Sequence, residues 1–385
     1  MISIMSHIKN FILFTIIVLA FSSCRKEERI VMSTGTKVTD EYNKGKIKSL
    51  ILLNEGNMGS NKASLDYFDY PSGHFVKNIF AELNPGVVKE LGDAGNDIQI
   101  YQDKIYAVIN CSNLIEVMDI SSAKHISTIS IKDCRYITFK DNYAYVASHY
   151  GPIDENSNKR LGYIVKVNTS TFKIEDNCTV GFQPEEMVIC DNKLYVANSG
   201  EDTYPVYDKT VSVIDLNTFK VIKTIEVAIN LQRMKIDNYG NIYVSSRGNY
   251  FDIPAKTYII DTKTDTVTDE LDLVCNDMAI CGDSLYAYGT AWNNTTQSNT
   301  ITYSIVNTKT KKIVSDKFIT DGTNITFPYG IAINPETKEI FITDAKTFII
   351  PGAINCFTKE GKLKWQAETG DIPAHIAFSE KRIIF

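Results

Sequence analysis

The chain has 385 residues, 44% apolar and 22% charged, enough to bury a sizeable core. Its 40 basic and 46 acidic residues give a net charge of −6, so there is no basic footprint for nucleic acid. Length alone would allow two or three domains, but β-rich folds of this size are often single units.

The first fifty residues read as export machinery. Lys9 precedes the apolar run Phe11–Ala20. A membrane-spanning helix needs about 20 apolar residues, so this shorter run reads as the core of a secretory signal peptide. Ser22 and Ser23 directly before Cys24 resemble the lipobox of bacterial lipoproteins, which implies cleavage before Cys24 and lipidation of that cysteine. An ordinary signal peptide with an incidental cysteine is the plainer alternative. Arg25-Lys26-Glu27-Glu28 follows and resembles the surface-export signal of Bacteroides-type lipoproteins, with a periplasm-facing lipoprotein as the other reading. The expected organisation is a signal peptide over 1–23, a lipidated cysteine and flexible tether over 24–46, and one folded unit over 47–385. Such a tether spans on the order of 25 Å. The expected location is the outer membrane, attached through lipid only and facing the cell exterior. Removing residues 1–23 takes away one lysine, leaving 39 basic against 46 acidic residues, a net −7.

Beyond residue 47 a short motif recurs: a turn residue, an aliphatic, an aromatic, then further β-formers. Its instances are Lys104–Val108, Asn142–Val146, Lys193–Ala197, Asn241–Ser245, Ser284–Tyr288 and Glu339–Thr343. The interval is roughly 40 to 55 residues, the range of propeller blades. Each instance sits in the same four-strand order, rich in Val, Ile, Thr and Tyr and punctuated by Gly, Asn and Asp. Third strands are expected at Ser64–Asp69, Leu114–Asp119, Gly162–Asn168, Thr210–Asp215, Lys256–Asp261, Ile301–Asn307 and Ala353–Phe357. The expected fold is all-β, a seven-bladed β-propeller closed by strands from both chain termini. His375–Phe378 would supply the inner strand missing before Leu52-Leu53-Asn54, leaving Arg382–Phe385 as a surplus strand. No amphipathic helix is expected in the mature chain.

Seven cysteines remain besides Cys24, with no Cys-x-x-Cys pair. Cys190 and Cys281 fall at equivalent repeat positions, as small buried hydrophobes would. Spacing leaves the pairing of the others open.

Strands that alternate up and down put the first-to-second and third-to-fourth turns on one face. These turns are short and polar. The opposite face carries long loops over 54–63, 148–161, 198–209, 245–255, 289–300 and 343–352, and long loops are where function concentrates. They hold Tyr150, Tyr204, Tyr207, Tyr250, Phe251, Trp292 and Phe348, with Phe327 and Tyr329 nearby. Rigid aromatic rings on a rim supply contact area at low entropic cost, although about half would be expected to pack between blades. Polar groups on the same face are Glu55, Asn57, Asn96, Asp97, Glu185, Arg233, Arg247, Asn249 and Asp344, with His149 the histidine in a long loop there. Any one of these could instead satisfy a loop backbone. In the pair Glu185-Glu186, strand alternation should let only one side chain enter the funnel. Hydrolase, metalloprotease and phosphate-binding motifs are absent from the sequence, so a binding protein without a catalytic cofactor is expected.

The blade pattern, with Tyr195-Val-Ala-Asn198 followed by Val211-Ser-Val-Ile-Asp215, resembles YncE-type propellers. The opening Leu53-Asn-Glu-Gly-Asn57, Gly59 and Ser64-Leu-Asp-Tyr67, with Gly95-Asn-Asp97 afterwards, resembles the BtuG family of surface lipoproteins. That resemblance implies capture of cobalamin and related corrinoids such as cobinamide. It also implies transfer to a BtuB-like TonB-dependent transporter. A broad macrocycle fringed by amides suits aromatic walls with Asn, Asp, Glu and Arg partners. A siderophore-binding propeller, a lactonase-like enzyme and a protein-binding adhesin are the alternatives.

Overall fold

The computed structural model describes residues 35–41, 45–87, 90–293 and 298–384. The expected signal peptide, Cys24 and the expected export signal lie outside the described residues, as does Phe385. Seven sheets of four or more strands follow one another along the chain, with an additional two-stranded hairpin at Ile153–Asp154 and Lys159–Arg160. Their innermost strands are Pro373–Ser379, Gly95–Tyr101, Cys134–Lys140, Pro184–Cys190, Leu231–Ile236, Asp277–Cys281 and Pro328–Ile333, for blades 1 to 7 in order. Each touches the next, and blade 7 touches blade 1, so the ring closes. This is the expected seven-bladed propeller.

The closure is also as expected. Pro373–Ser379 pairs antiparallel with Ser49–Asn54, so the last strand of the chain becomes the inner strand of the first blade. The segment 382–384 is not a further strand. Arg382 pairs with Asp69 at 2.8 Å, the Ile383 amide donates to the Tyr67 hydroxyl at 3.0 Å, and the Ile384 amide donates to the Ser121 carbonyl at 2.9 Å. It is a clip from blade 1 to blade 2. The expected tether is likewise shortened, because Gly35–Lys37 pairs with His74–Val76 as a fifth, outermost strand of blade 1. The amides of Lys46 and Ile47 then donate to the Glu336 carboxylate at 2.9 and 2.8 Å.

Burial explains the composition of the strands. Second and third strands are covered by neighbouring blades on both sides, so Ser49–Asn54 and Ser64–Asp69 are buried throughout. Outer strands meet water, and Lys220–Glu226 is exposed at six of its seven positions. The buried apolar residues fall into seven clusters, one per interface between blades. The recurring aromatic of the motif sits inside these interfaces. Tyr195 donates to Asp265 at 2.5 Å and Tyr243 to the Thr308 carbonyl at 3.2 Å, each on the following blade. The ring gives apolar burial while the hydroxyl satisfies a polar turn.

Three local expectations need correction. A short helix, Ile79–Leu83, lies between blades 1 and 2 with Ile79, Phe80 and Ala81 buried; five residues are too few to show helical periodicity. The stretch 289–300 is no loop, because Ser284–Asn293 and Ser298–Asn307 run on as a long hairpin, leaving 294–297 outside the described residues. Cys190 and Cys281 are half-buried at the ends of inner strands, and all seven described cysteines are free thiols.

Candidate functional site

The inner strands build the site by register. In the seven blades Ile376, Ile98, Ile137, Met187, Met234, Met278 and Ile331 pair with Leu52, Ala107, Val146, Val196, Val244, Ala287 and Ile342. The residue before each forms a ring around the axis: His375, Asp97, Tyr136, Glu186, Arg233, Asp277 and Gly330. One step earlier, toward the long loops, stand Ala374, Asn96, Arg135, Glu185, Gln232, Asn276 and Tyr329. In six blades the register shifts at this point. Such bulges re-aim side chains, and both members of a pair can then reach the axis, as Arg135 with Tyr136 and Gln232 with Arg233 do. Of Glu185-Glu186 only Glu186 lines the channel. Glu185 meets Arg135, while Glu186 meets Lys235 farther down the channel.

The upper tier opens into a cavity of about 160 Å³ on the long-loop face, walled by Glu55, Asn96, Arg135, Arg233, Arg247 and Tyr329 among others. Its three arginines are paired within the protein. Glu185, only 2% exposed, lies 3.2 Å from Arg135 and 3.5 Å from His149. Burial alone would raise its carboxyl, but Arg135, then His149 and Arg247, more than reverse this and hold it at about 2. Arg233 lies 3.4 Å from Asp277 and donates to the Tyr136 hydroxyl at 2.8 Å. Arg247 lies 3.0 Å from Glu201, which also accepts from Tyr250 at 2.7 Å. Glu55 accepts from Tyr329 at 2.6 Å, and burial raises its carboxyl against that bond. No group of three or more His, Cys, Asp or Glu side chains among the described residues could hold a metal ion.

Of the residues expected at the site, Glu55, Asn96, Arg233, Arg247 and Tyr329 meet in this cavity. Glu185 and His149 stand behind Arg135. Asp97 faces the lower channel instead. Tyr150 is on the rim, 40% exposed, with Lys132 and Arg160 at 3.6 and 4.1 Å from its ring centre. Tyr250 is also on the rim, 64% exposed. Asn57 is half-buried on the blade 1 loop, its carbonyl accepting from the Ser60 amide at 2.9 Å. Asn249 and Asp344 spend their carboxamide and carboxylate on loop amides, Asn249 on those of Phe251, Asp252 and Ile253 and Asp344 on those of Thr326, Phe327 and Lys346. They shape loops. The Trp292 side chain lies outside the described residues, although its backbone pairs with Asn299. Arg135, Tyr136, Gln232, Asn276 and His375 were not expected in the wall. Aligning the seven inner strands on the apolar residue that follows each pair would have found them.

Around the cavity stands an apolar rim. Met58, Tyr150, Ile153, Tyr204, Val206, Tyr250, Phe251, Ile253, Ile349 and Ile350 are all exposed large apolar side chains. They sit on the long loops of blades 1, 3, 4, 5 and 7. Phe327, Tyr329 and Phe348 pack together in edge contacts instead, with centroids 4.6 and 5.5 Å from Phe348.

Fold and site together define a seven-bladed propeller with a charged axial funnel under an apolar rim. The chain belongs to the family described as a domain of unknown function, DUF5074, whose pattern matches residues 48–364. No curated protein matches it. Among solved structures it is similar to Kuenenia stuttgartiensis hydrazine synthase, with 14% identity and a TM-score of 0.58 over 73% of this chain and 88% of that one. It is also similar to apo AztD from Citrobacter koseri, with 11% identity and a TM-score of 0.52 over 86% of this chain and 98% of that one. Likeness at such identity speaks to the fold alone.

Proposed function

We propose that this protein is a lipid-anchored capture protein at the outer membrane, facing the cell exterior. It binds a corrinoid, cobalamin or cobinamide, on its long-loop face and passes it to a TonB-dependent transporter. The observation that carries the reading is the rim: ten exposed large apolar side chains gathered on five long loops of one face. Exposed large apolar side chains concentrated on one face mark a binding site. The cavity of about 160 Å³ is smaller than a drug-sized pocket. A broad ligand would therefore lie across the rim and lower one polar side arm into the funnel. Because Arg135, Arg233 and Arg247 each already face a carboxylate, the funnel suits neutral amides better than an anionic siderophore.

Truncating a true anchor costs ~2 kcal/mol or more. Tyr250→Ala should therefore weaken cyanocobalamin binding about thirtyfold in calorimetry. Lys263→Ala, on a short turn of the opposite face, should stay within about 0.5 kcal/mol of wild type. Equal affinities for both variants would move the site off this face.

Anchoring has its own test. Cys24→Ala should abolish incorporation of labelled fatty acid and release the protein from the membrane fraction. Labelling that survives the substitution would refute attachment at Cys24.

A further inference from the structure

Below the funnel the channel widens toward the short-turn face into two lobes of about 380 and 290 Å³, which share Asp97, Gln99, Glu186, Val188 and Lys235. One wall is charged. The facing wall, from blades 7 and 1, is apolar and includes Ile331, Ile333, Ile376 and Phe378. Blade 7 adds no ring side chain to this wall, because it has Gly330 there, and blade 1 adds His375 at its upper edge. A Cβ on Gly330 would come within 1.9 Å of the Ala374 carbonyl oxygen.

The repeat exposes a gap in the charged wall. The ring holds three carboxylates. Glu186 accepts from the Met234 amide of the next blade at 2.7 Å and forms an ion pair with Lys235, the residue after it. Asp277 faces Arg233 at 3.4 Å. Asp97 makes the same bond to the next blade as Glu186 does, accepting from the Ile137 amide at 3.0 Å. The position that corresponds to Lys235 is here Thr138, which lines the same lobe. Among the described residues Asp97 otherwise accepts only from Gln99 at 3.3 Å, and no cationic side chain comes within 4 Å of it. A buried carboxylate left without a cation is costly.

We propose that this lower chamber is a second binding site, for a small primary amine with a compact apolar body. Its ammonium takes on Asp97 the place that Lys235 takes on Glu186, and its body lies on the blade 7 and blade 1 wall. The chamber is at the small end of ligand pockets, so the body is a single ring or a short branched chain. The site stands independently of corrinoid capture.

The pH response follows from the geometry. Burial, with Glu186 adding to it and the Ile137 amide, the more distant Lys235 and Gln99 opposing it, raises the Asp97 carboxyl to about 6. The other titratable groups facing the chamber are Glu186 with Lys235, Asp277 with Arg233, Tyr136, Tyr101 with its hydroxyl on the Asp141 carbonyl, and the His375 imidazole. His375 is held well below its ordinary range by burial and by Arg233, Lys235 and Arg135, so it is neutral at pH 7.5.

The test uses corrinoid-free protein titrated with cyclohexylamine, cyclohexanol and cyclohexanecarboxylate in a calorimeter at pH 7.5. Only the amine should bind, and lowering the pH to 5 should weaken it about tenfold as Asp97 takes up its proton. Asp97→Asn should lose at least tenfold. Thr138→Lys, which supplies the missing cation from within the chain, should do the same while melting no lower than wild type at pH 7.5. If Thr138→Lys does not fold, Asp97→Asn decides. Binding of the alcohol as strong as the amine, retained affinity in Asp97→Asn, or no binding of any probe by wild type would overturn the proposal and leave a water-filled channel.

Discussion

Deleting residues 373–385 should leave no cooperatively folded propeller. The strand Pro373–Ser379 is the inner strand of blade 1 and pairs with Ser49–Asn54 at six positions. It also joins blade 7 to blade 2 at the axis. Without it the ring opens, and the clusters on either side of blade 1 lose a wall. Long unpaired edges then invite aggregation. The shorter deletion of 382–385 removes only the clip, with the Arg382–Asp69 pair and buried Ile383. A lost buried aliphatic costs about 2–5 kcal/mol, so this form should still fold with a lowered urea midpoint. Circular dichroism and urea titration separate the two. A 373–385 deletion that melts like the full chain would contradict closure through the termini.

Arg135→Met should cost ~3–5 kcal/mol at pH 7, because it leaves Glu185 ionised in the wall with its main partner gone. The sign with pH is specific. With its carboxyl held near 2, Glu185 adds stability that is fully present above the ordinary value of 4.5. That stability is lost as pH falls through about 2. The gap between wild type and Arg135→Met should therefore be widest near neutrality and shrink in acid. Adding Glu185→Gln to Arg135→Met should recover part of the loss by removing the orphaned charge. Urea midpoints at pH 7 and pH 4 check both statements, and a gap that grows in acid would contradict them.

The propeller was legible because its repeat is carried by residues with one job. The aromatic of the motif fills an interface between blades, and that demand recurs in six of the seven blades. Five third strands, from Ser64–Asp69 through Lys256–Asp261, lie where the pattern puts them. The site was less legible because it breaks the rule that made the fold readable. Strand alternation predicts one inward side chain from a neighbouring pair, but the bulge at the head of the inner strands can turn two toward the axis. Arg135 and His375 therefore went unnoticed as wall residues, while Asp97 was placed on the wrong side of the ring. Asn249 and Asp344 misled for another reason. Their side chains bind amides of their own loops or a neighbouring loop, and composition does not distinguish a loop-shaping Asx residue from a ligand contact. The chain ends gave little signal because Gly35–Lys37 and 382–384 dock through a few bonds each, without periodicity.

Corrinoid capture on the long-loop face is the central claim, and one measurement addresses it directly. Purified mature protein mixed with a slight excess of cyanocobalamin, and separately cobinamide, is passed through a desalting column and read by absorbance. The account predicts that the colour elutes with the protein at about one ligand per chain. It also predicts that Tyr250→Ala loses most of the colour while Lys263→Ala keeps it. Protein that emerges colourless with both corrinoids would contradict the account.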